Sequence, residues 1–341
     1  MSPAIAIITG LLIIAVGSFC QSSSYVPINK IKGWNWESFW LVQGVFAWLI
    51  FPFLGALLAV PEGETLFSMY AAHPHESFMT ILFGVLWGIG GLTFGLSMRY
   101  LGVALGQSIA LGLCSGLGAI LGPALTGKGD ELTTAIWVGV IVTLIGIAII
   151  GIAGGMKTAA LPEEEKKKAV KDFNFPKGIL VAVLSGVMSA CFSIGLSFGA
   201  EIHGADTNPI FASLPATFLV TIGGFITNAA YCLFQNAKNK SFGDYRKGSL
   251  WGNNALFCLL AGLLWYSQFF GLSLGKGFLE GRSAVLLTFS WCILMALNVT
   301  FSNVWGIILK EWKGVSKKTV TVLIIGIIVL IFSTFLPQLM A

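Results

Sequence analysis

Four amide side chains, Gln21, Asn228, Gln268 and Asn298, sit within long apolar runs of this 341-residue chain. An amide has four hydrogen-bonding valences, which the neighbours on a helix rarely satisfy alone. In GLLWYSQFF (262–270), Gln268 shares its run with Trp265 and Tyr266, and GVLW (84–87) echoes the GLLW of 262–265 at Trp87. Amides bond hydroxyl groups, and aromatic rings cover the apolar C–H face of a sugar. Together these residue types suit a neutral polyol. The competing roles are packing, since Ser and Thr bonds between membrane helices contribute only about 0.6–2 kcal/mol each, and interfacial anchoring by Trp.

Helical spacing gathers these residues into stripes. Thr217, Thr221, Gly224 and Asn228 fall on one face, as do Trp291, Asn298, Ser302 and Trp305. Ser18, Gln21 and Tyr25 form a third stripe. Gln107 is followed on its face by Ala110, Leu111 and Cys114. Trp265, Gln268 and Leu272 share a face, with Tyr266 offset by one position. The expected polyol contacts are therefore Gln21, Trp87, Gln107, Asn228, Trp265, Tyr266, Gln268 and Asn298.

No Asp, Glu or His stands at the centre of an apolar run, so any group that could exchange protons there, as a proton-coupled carrier would need, must lie near an end. Glu201, in FGAEIHGAD beside His203 and Asp206, is the first candidate, and Glu37, next to Trp34 and Trp36, the second. A carboxyl in a partly dehydrated mouth exchanges protons closer to neutral pH than a solvated one. The competing role for Glu201 is simple solvation, and for Glu37 interfacial anchoring or pairing with Arg99. His73, His75 and Glu76 in AAHPHESF (71–78) read as an external loop rather than a metal site. Paired carboxylates, a nucleophile with its base and a metal cluster are all missing from the apolar runs, so an enzyme is not expected, nor is a cofactor.

The elements that must position these residues follow from composition. Hydrophobic residues make up 56% of the chain and charged residues 10%, against roughly 25% charged in a soluble domain. A bilayer core about 30 Å thick requires roughly 20 apolar residues per helix. Ten such runs are present, near 3–23, 38–60, 77–98, 101–123, 134–156, 177–200, 209–235, 250–274, 283–308 and 319–338. The third and fourth are separable mainly at Met98-Arg99-Tyr100. The fold class is an all-α integral membrane protein of ten transmembrane helices. The six cysteines each fall in a different run and read as apolar packers with free thiols.

Of the 20 Lys and Arg residues, only Lys128, Lys276 and Arg282 fall in the even-numbered connections. By the positive-inside rule the odd connections face the cytoplasm and both termini face out. The stretch 157–176, with EEEKKK at its centre, reads as a cytoplasmic linker between five spans in 1–156 and five in 177–341. Two halves with an odd number of spans each lie upside down relative to one another if they share a fold. FGLSM (94–98) and FGLSL (270–274) extend the GVLW/GLLW echo. Inverted repeats are typical of secondary transporters, whose site lies near the midplane. Small residues four apart, Gly84/Gly88 and Gly91/Gly95 in span 3 and three such pairs in span 4, permit close helix packing.

YVPINKIKGWNWESFW (25–40), LFGVLWGIGGLTFGLSMRYLG (82–102), GLLWYSQFF and LKEWKG (309–314) together resemble the L-rhamnose–proton symporter family. That resemblance runs in order along nearly the whole chain. It implies the drug/metabolite transporter fold, two inverted five-helix repeats, and proton-driven import of a monosaccharide across a bacterial inner membrane. Rhamnose carriers of that family have polar residues near the positions of Gly91 and Phe94, which this chain lacks, so L-rhamnose, another deoxyhexose and a different monosaccharide all stay open. The alternative is a drug/metabolite-type exporter or facilitator of another small polar metabolite. Expected partners are the sugar, the proton and the bilayer, with a homodimer open and no nucleic acid.

Overall fold

The computed structural model describes residues 2–162 and 174–341, so EEEKKK and the rest of 163–173 in the expected linker lie outside the described residues. Every described element is helical. Among the described residues, ten helices are long and apolar enough to cross a membrane. They are α1 (Pro3–Ser23), α2 (Trp36–Leu57), α3 (Pro74–Leu101), α4 (Val103–Leu125), α5 (Thr134–Ala159), α6 (Phe175–Phe198), α7 (Leu214–Asn239), α8 (Gly248–Leu279), α9 (Ala284–Ile308) and α10 (Lys317–Met340). The six cysteines are free thiols.

Local chemistry explains the breaks. α3 and α4 part at Gly102, whose φ of 83° lies in the region that side chains avoid. AAHPHESF is not a loop: a short helix, Leu66–Ala72, ends within it, and α3 starts at Pro74 with Glu76 in its first turn. Proline suits a first helical turn because its missing N–H has no partner to lose there. α2 holds a π-helical turn, Val45–Ile50, in which the Phe51 N–H reaches back five residues to the Phe46 carbonyl. Pro52 follows after Phe51, and its ring would press on the carbonyl four residues earlier in a regular helix. The extra residue of the π turn rotates everything after it relative to the start of α2.

Two compact units form, and neither is a continuous half of the chain. The first comprises Met1–Gly88 and Gly195–Glu280. In it α1 lies antiparallel along α8, backbone against backbone: a Cβ on Gly10 would stand 2.9 Å from the Gly275 carbonyl oxygen, and one on Gly17 2.7 Å from that of Ser267. α3 also meets α7 backbone to backbone, with Gly84 against the Val220 carbonyl, Gly223 against that of Ile81, and the Thr227 hydroxyl donating to the Val85 carbonyl at 2.9 Å. α2 packs on both α7 and α8.

The second unit comprises Ile89–Ile194 and Gly281–Ala341. α5 and α10 pair along their length, with Gly146 on Leu330 and Gly326 on Ile150. α4 packs on α5 and α9, and the core gathers Ile147, Ala296, Val299 and Leu330. The end of α3 meets α6 where the Ser185 hydroxyl donates to the Gly90 carbonyl at 3.0 Å. Of the small pairs in span 3, Gly84/Gly88 pack closely, whereas Gly91 and Gly95 face open space, with nothing within 4 Å of where a Cβ would stand.

Candidate functional site

Within the first unit five indole rings form one chain of contacts, apart from the Trp34–Trp251 pair. Trp36 stacks on Trp40 at 5.4 Å, and Trp40 meets Trp48 edge-on at 5.7 Å. Trp48 in turn meets Trp87 at 6.1 Å and Trp265 at 5.9 Å, both nearly perpendicular. Trp87 and Trp265 lie 5.8 Å apart, and Phe269 closes the group 5.1 Å from Trp265. Perpendicular contact places the positive edge of one ring on the negative face of the next, the arrangement such quadrupoles favour.

Missing side chains let the rings in. A Cβ on Gly224 would lie 2.1 Å from the Trp87 ring, and one on Gly44 2.7 Å from that of Trp48. The Trp40 indole N–H donates to Asn228 Oδ1 at 3.1 Å, while Asn228 Nδ2 donates to the Gly224 carbonyl at 2.9 Å. Trp48 differs: it is only 4% exposed, and its Nε1 has no acceptor among the described residues. The Gln43 Oε1, buried on the same helix, likewise has no donor. An unpaired buried donor costs about 1–3 kcal/mol, so its retention inside a ring of tryptophans calls for an explanation.

The eight expected polyol contacts divide. Trp87, Asn228 and Trp265 join this cluster. Gln268 is buried nearby in sequence, donating to the Trp265 carbonyl at 3.1 Å, but it lies at the seam where Gly17 of α1 meets α8. Tyr266 points at the end of α2, where a Cβ on Gly55 would collide with its hydroxyl, which has no partner among the described residues. Gln21 is half-buried on α1, its Oε1 accepting from the Ser22 hydroxyl at 3.4 Å. Gln107 and Asn298 belong to the second unit, where Gln107 lines a cavity. GLLWYSQFF therefore sends its three polar residues to three surroundings.

Trp40, Gln43 and Trp48 are the residues that sequence reasoning missed. Trp36, Trp40, Gln43 and Ala47 keep helical spacing, so a stripe was legible there. Trp48 follows Trp40 and Gly44 at spacings of four, but it belongs to the π turn, which shifts its direction from that of a regular helix.

The two carboxyl candidates also separate. Glu201 is exposed in the turn Gly199–Glu201 that follows α6. Glu37 is buried at the start of α2, accepting from the Ser241 hydroxyl at 2.6 Å and Asn239 Nδ2 at 3.0 Å. Ser241 shares its one proton between Glu37 and Asn236 Oδ1, and Ser38 shares its own between Asn236 Oδ1 and Asp244, the latter at 2.9 Å. Asp244 sits in the turn Ser241–Arg246 and further accepts from the Asn35 backbone and side chain and from Lys247. Burial alone would raise the Asp244 carboxyl, but the Asn35 N–H, the Lys247 ammonium, the Asn35 amide and the Ser38 hydroxyl outweigh it and push the group down to about 2. Asn236 extends the Thr217–Asn228 stripe by two turns, so this network was partly readable from spacing. Among the described residues no group of three His, Cys, Asp or Glu could hold a metal.

Residues 1–340 match the family described as L-rhamnose-proton symport protein (RhaT). The chain belongs to the L-rhamnose–proton symporter family. Among its relatives, the L-rhamnose-proton symporter of Yersinia pestis (strain Pestoides F) is 33% identical over 342 residues, covering 96% of each chain. The symporter of the same description from Yersinia pseudotuberculosis serotype O:1b (strain IP 31758) matches to the same extent. Family membership together with the ten apolar helices makes this a multi-pass protein of the bacterial inner membrane.

Proposed function

We propose that the chain imports L-rhamnose together with protons by alternating access, with the cluster around Trp48 as its sugar platform. The observation that carries the site is the buried, unpaired Trp48 N–H among Trp40, Trp87 and Trp265. A 6-deoxyhexose offers hydroxyls for that donor and for the Gln43 Oε1, and an apolar face and methyl group for the rings. In the present state the rings pack on one another, so sugar entry requires Trp48 to part from Trp87 and Trp265. Gln21, Tyr266 and Gln268 then contribute from the neighbouring α1–α8 seam and the end of α2.

An inverted repeat is supported by which helices pair. If each helix in the first half corresponds to the one five places later, the α1–α8 seam must recur as α6–α3. The pairs α2–α7, α4–α9 and α5–α10 must map onto themselves. All five pairs are in contact within one unit or the other. The Lys and Arg distribution supports both termini facing out.

For proton coupling, burial favours Glu37 over Glu201. The proton affinity of Glu37 changes if α2 parts from the 241–246 turn, because its two donors are then lost. Glu201, exposed here, would have to become dehydrated in another access state. Counterflow of labelled L-rhamnose in proteoliposomes, with and without an imposed pH gradient, tests the function. Counterflow without a gradient and uphill accumulation with one are expected. Absence of rhamnose flux in both conditions defeats the proposal.

A further inference from the structure

Gln107 belongs to neither the aromatic cluster nor its unit, yet it faces a built space. A cavity of about 380 Å³ lies in the second unit between the start of α4, the end of α5 and the end of α9. That volume falls within the roughly 300–1,000 Å³ typical of small-molecule sites. One wall is aliphatic, made by Leu111, Ile147, Ile150 and Val299. The other is polar, made by Gln107, Ser302, Asn303, Lys157, Glu311 and Trp312.

Two of these polar groups are unengaged among the described residues and a third is half engaged. The Gln107 amide and the Glu311 carboxylate make no hydrogen bond among the described residues, and Asn303 uses only its Nδ2, which donates to the Val299 carbonyl at 2.8 Å. The Lys157 ammonium covers one face of the Trp312 ring, 4.7 Å from its centroid. Gly306 keeps the mouth open: a Cβ there would stand 3.1 Å from Trp312 Nε1 and 3.2 Å from Glu311 Oε2. An N–H donor and a carboxylate acceptor thus converge on one spot. Lys157 and Glu311 are opposite in sign, so the rim selects no net charge. Amides, a hydroxyl, an indole N–H and an aliphatic wall match a neutral polyol with one apolar face.

We propose that this cavity is a second monosaccharide site, built from Gln107, Asn303, Glu311 and Trp312. Its mouth is formed by the helix ends that carry the Lys- and Arg-rich connections, so it loads from the cytoplasm, where imported sugar accumulates. The site rests on the chain being a sugar carrier. A sugar there binds with residues entirely different from those around Trp48.

The test uses purified full-length protein and L-rhamnose. Calorimetric titration is expected to resolve two binding events. Asn303→Leu, which removes an acceptor and fills space, weakens one event about tenfold, the loss of one good polar contact. Trp48→Phe weakens the other. A second readout needs no folded Asn303 variant: alkylation of Ser302→Cys, followed at that residue by mass spectrometry, is slowed by L-rhamnose even when Trp48→Phe is also present. A single event altered only by Trp48→Phe, with no protection at position 302, overturns the second site and leaves the import function standing. Protection at position 302 by alanine but not by sugar overturns it too, since paired opposite charges also suit a zwitterion. No rhamnose binding by any readout removes both proposals together.

Discussion

Replacing Trp48 by phenylalanine removes one indole N–H and leaves an aromatic ring in place. Trp48 is only 4% exposed and contacts Trp40, Trp87 and Trp265 at 5.7, 6.1 and 5.9 Å. If its N–H serves a sugar hydroxyl, the variant loses one neutral hydrogen bond, about 0.5–1.5 kcal/mol, or about 2- to 12-fold in Kd. Stability responds differently. The smaller ring leaves a void that costs up to a few kcal/mol, but removing an unsatisfied buried donor returns about 1–3 kcal/mol. The two nearly cancel. Trp40→Phe is the control, because that indole bonds Asn228 Oδ1 at 3.1 Å and Asn228 is buried. Losing the bond strands a buried acceptor, so the void is joined by a further cost of about 1–3 kcal/mol. Calorimetry with L-rhamnose and thermal unfolding of purified protein separate the cases. Trp48→Phe is expected to bind more weakly at nearly unchanged Tm, and Trp40→Phe to lose Tm clearly. Wild-type affinity in Trp48→Phe, or a loss of Tm equal to that of Trp40→Phe, would refute the reasoning.

Three further outcomes are expected. Gly224→Ala places a methyl group 2.1 Å from the Trp87 ring, so it should destabilise the protein by about 1–3 kcal/mol and shift its tryptophan emission; an unchanged spectrum and Tm would show that the cluster is loosely held. Glu37→Gln should abolish uphill accumulation of rhamnose while preserving counterflow, and Glu201→Gln should leave both intact; the reverse pattern transfers coupling to Glu201. Asp244 is held at about 2 against an ordinary 3.8, so its share of stability is complete above pH about 4 and is lost as pH falls toward 2. That share is at most about 2 kcal/mol, and Asp244→Asn should flatten this part of the unfolding profile; parallel profiles for the two proteins would place the acid sensitivity elsewhere.

Glu37 illustrates how far linear reading reaches. Its position at the start of a span was legible, and so was its candidacy for coupling. Its partners Asn239 and Ser241 lie more than 200 residues away and were not. The AAHPHESF stretch shows the converse, a local misreading, because polar composition suggested a loop where Pro74 and Glu76 begin a helix. Gly91 and Gly95 had the spacing of a packing pair, but spacing does not say whether a partner helix stands opposite.

The sequence by itself determined the membrane class, the ten spans and the family. Each rests on a property summed over many residues: apolar length, distribution of charge, and motifs kept in order. Only the tertiary structure decided that the compact units cut across the two halves of the chain, and that Trp40 and Trp48 rather than Tyr266 and Gln268 complete the aromatic cluster. The physical reason is the same in both cases. Which face of a helix meets which neighbour depends on glycine contacts such as Gly224 with Trp87, and on the extra residue in the π turn before Pro52. Neither leaves a periodic signal along the chain.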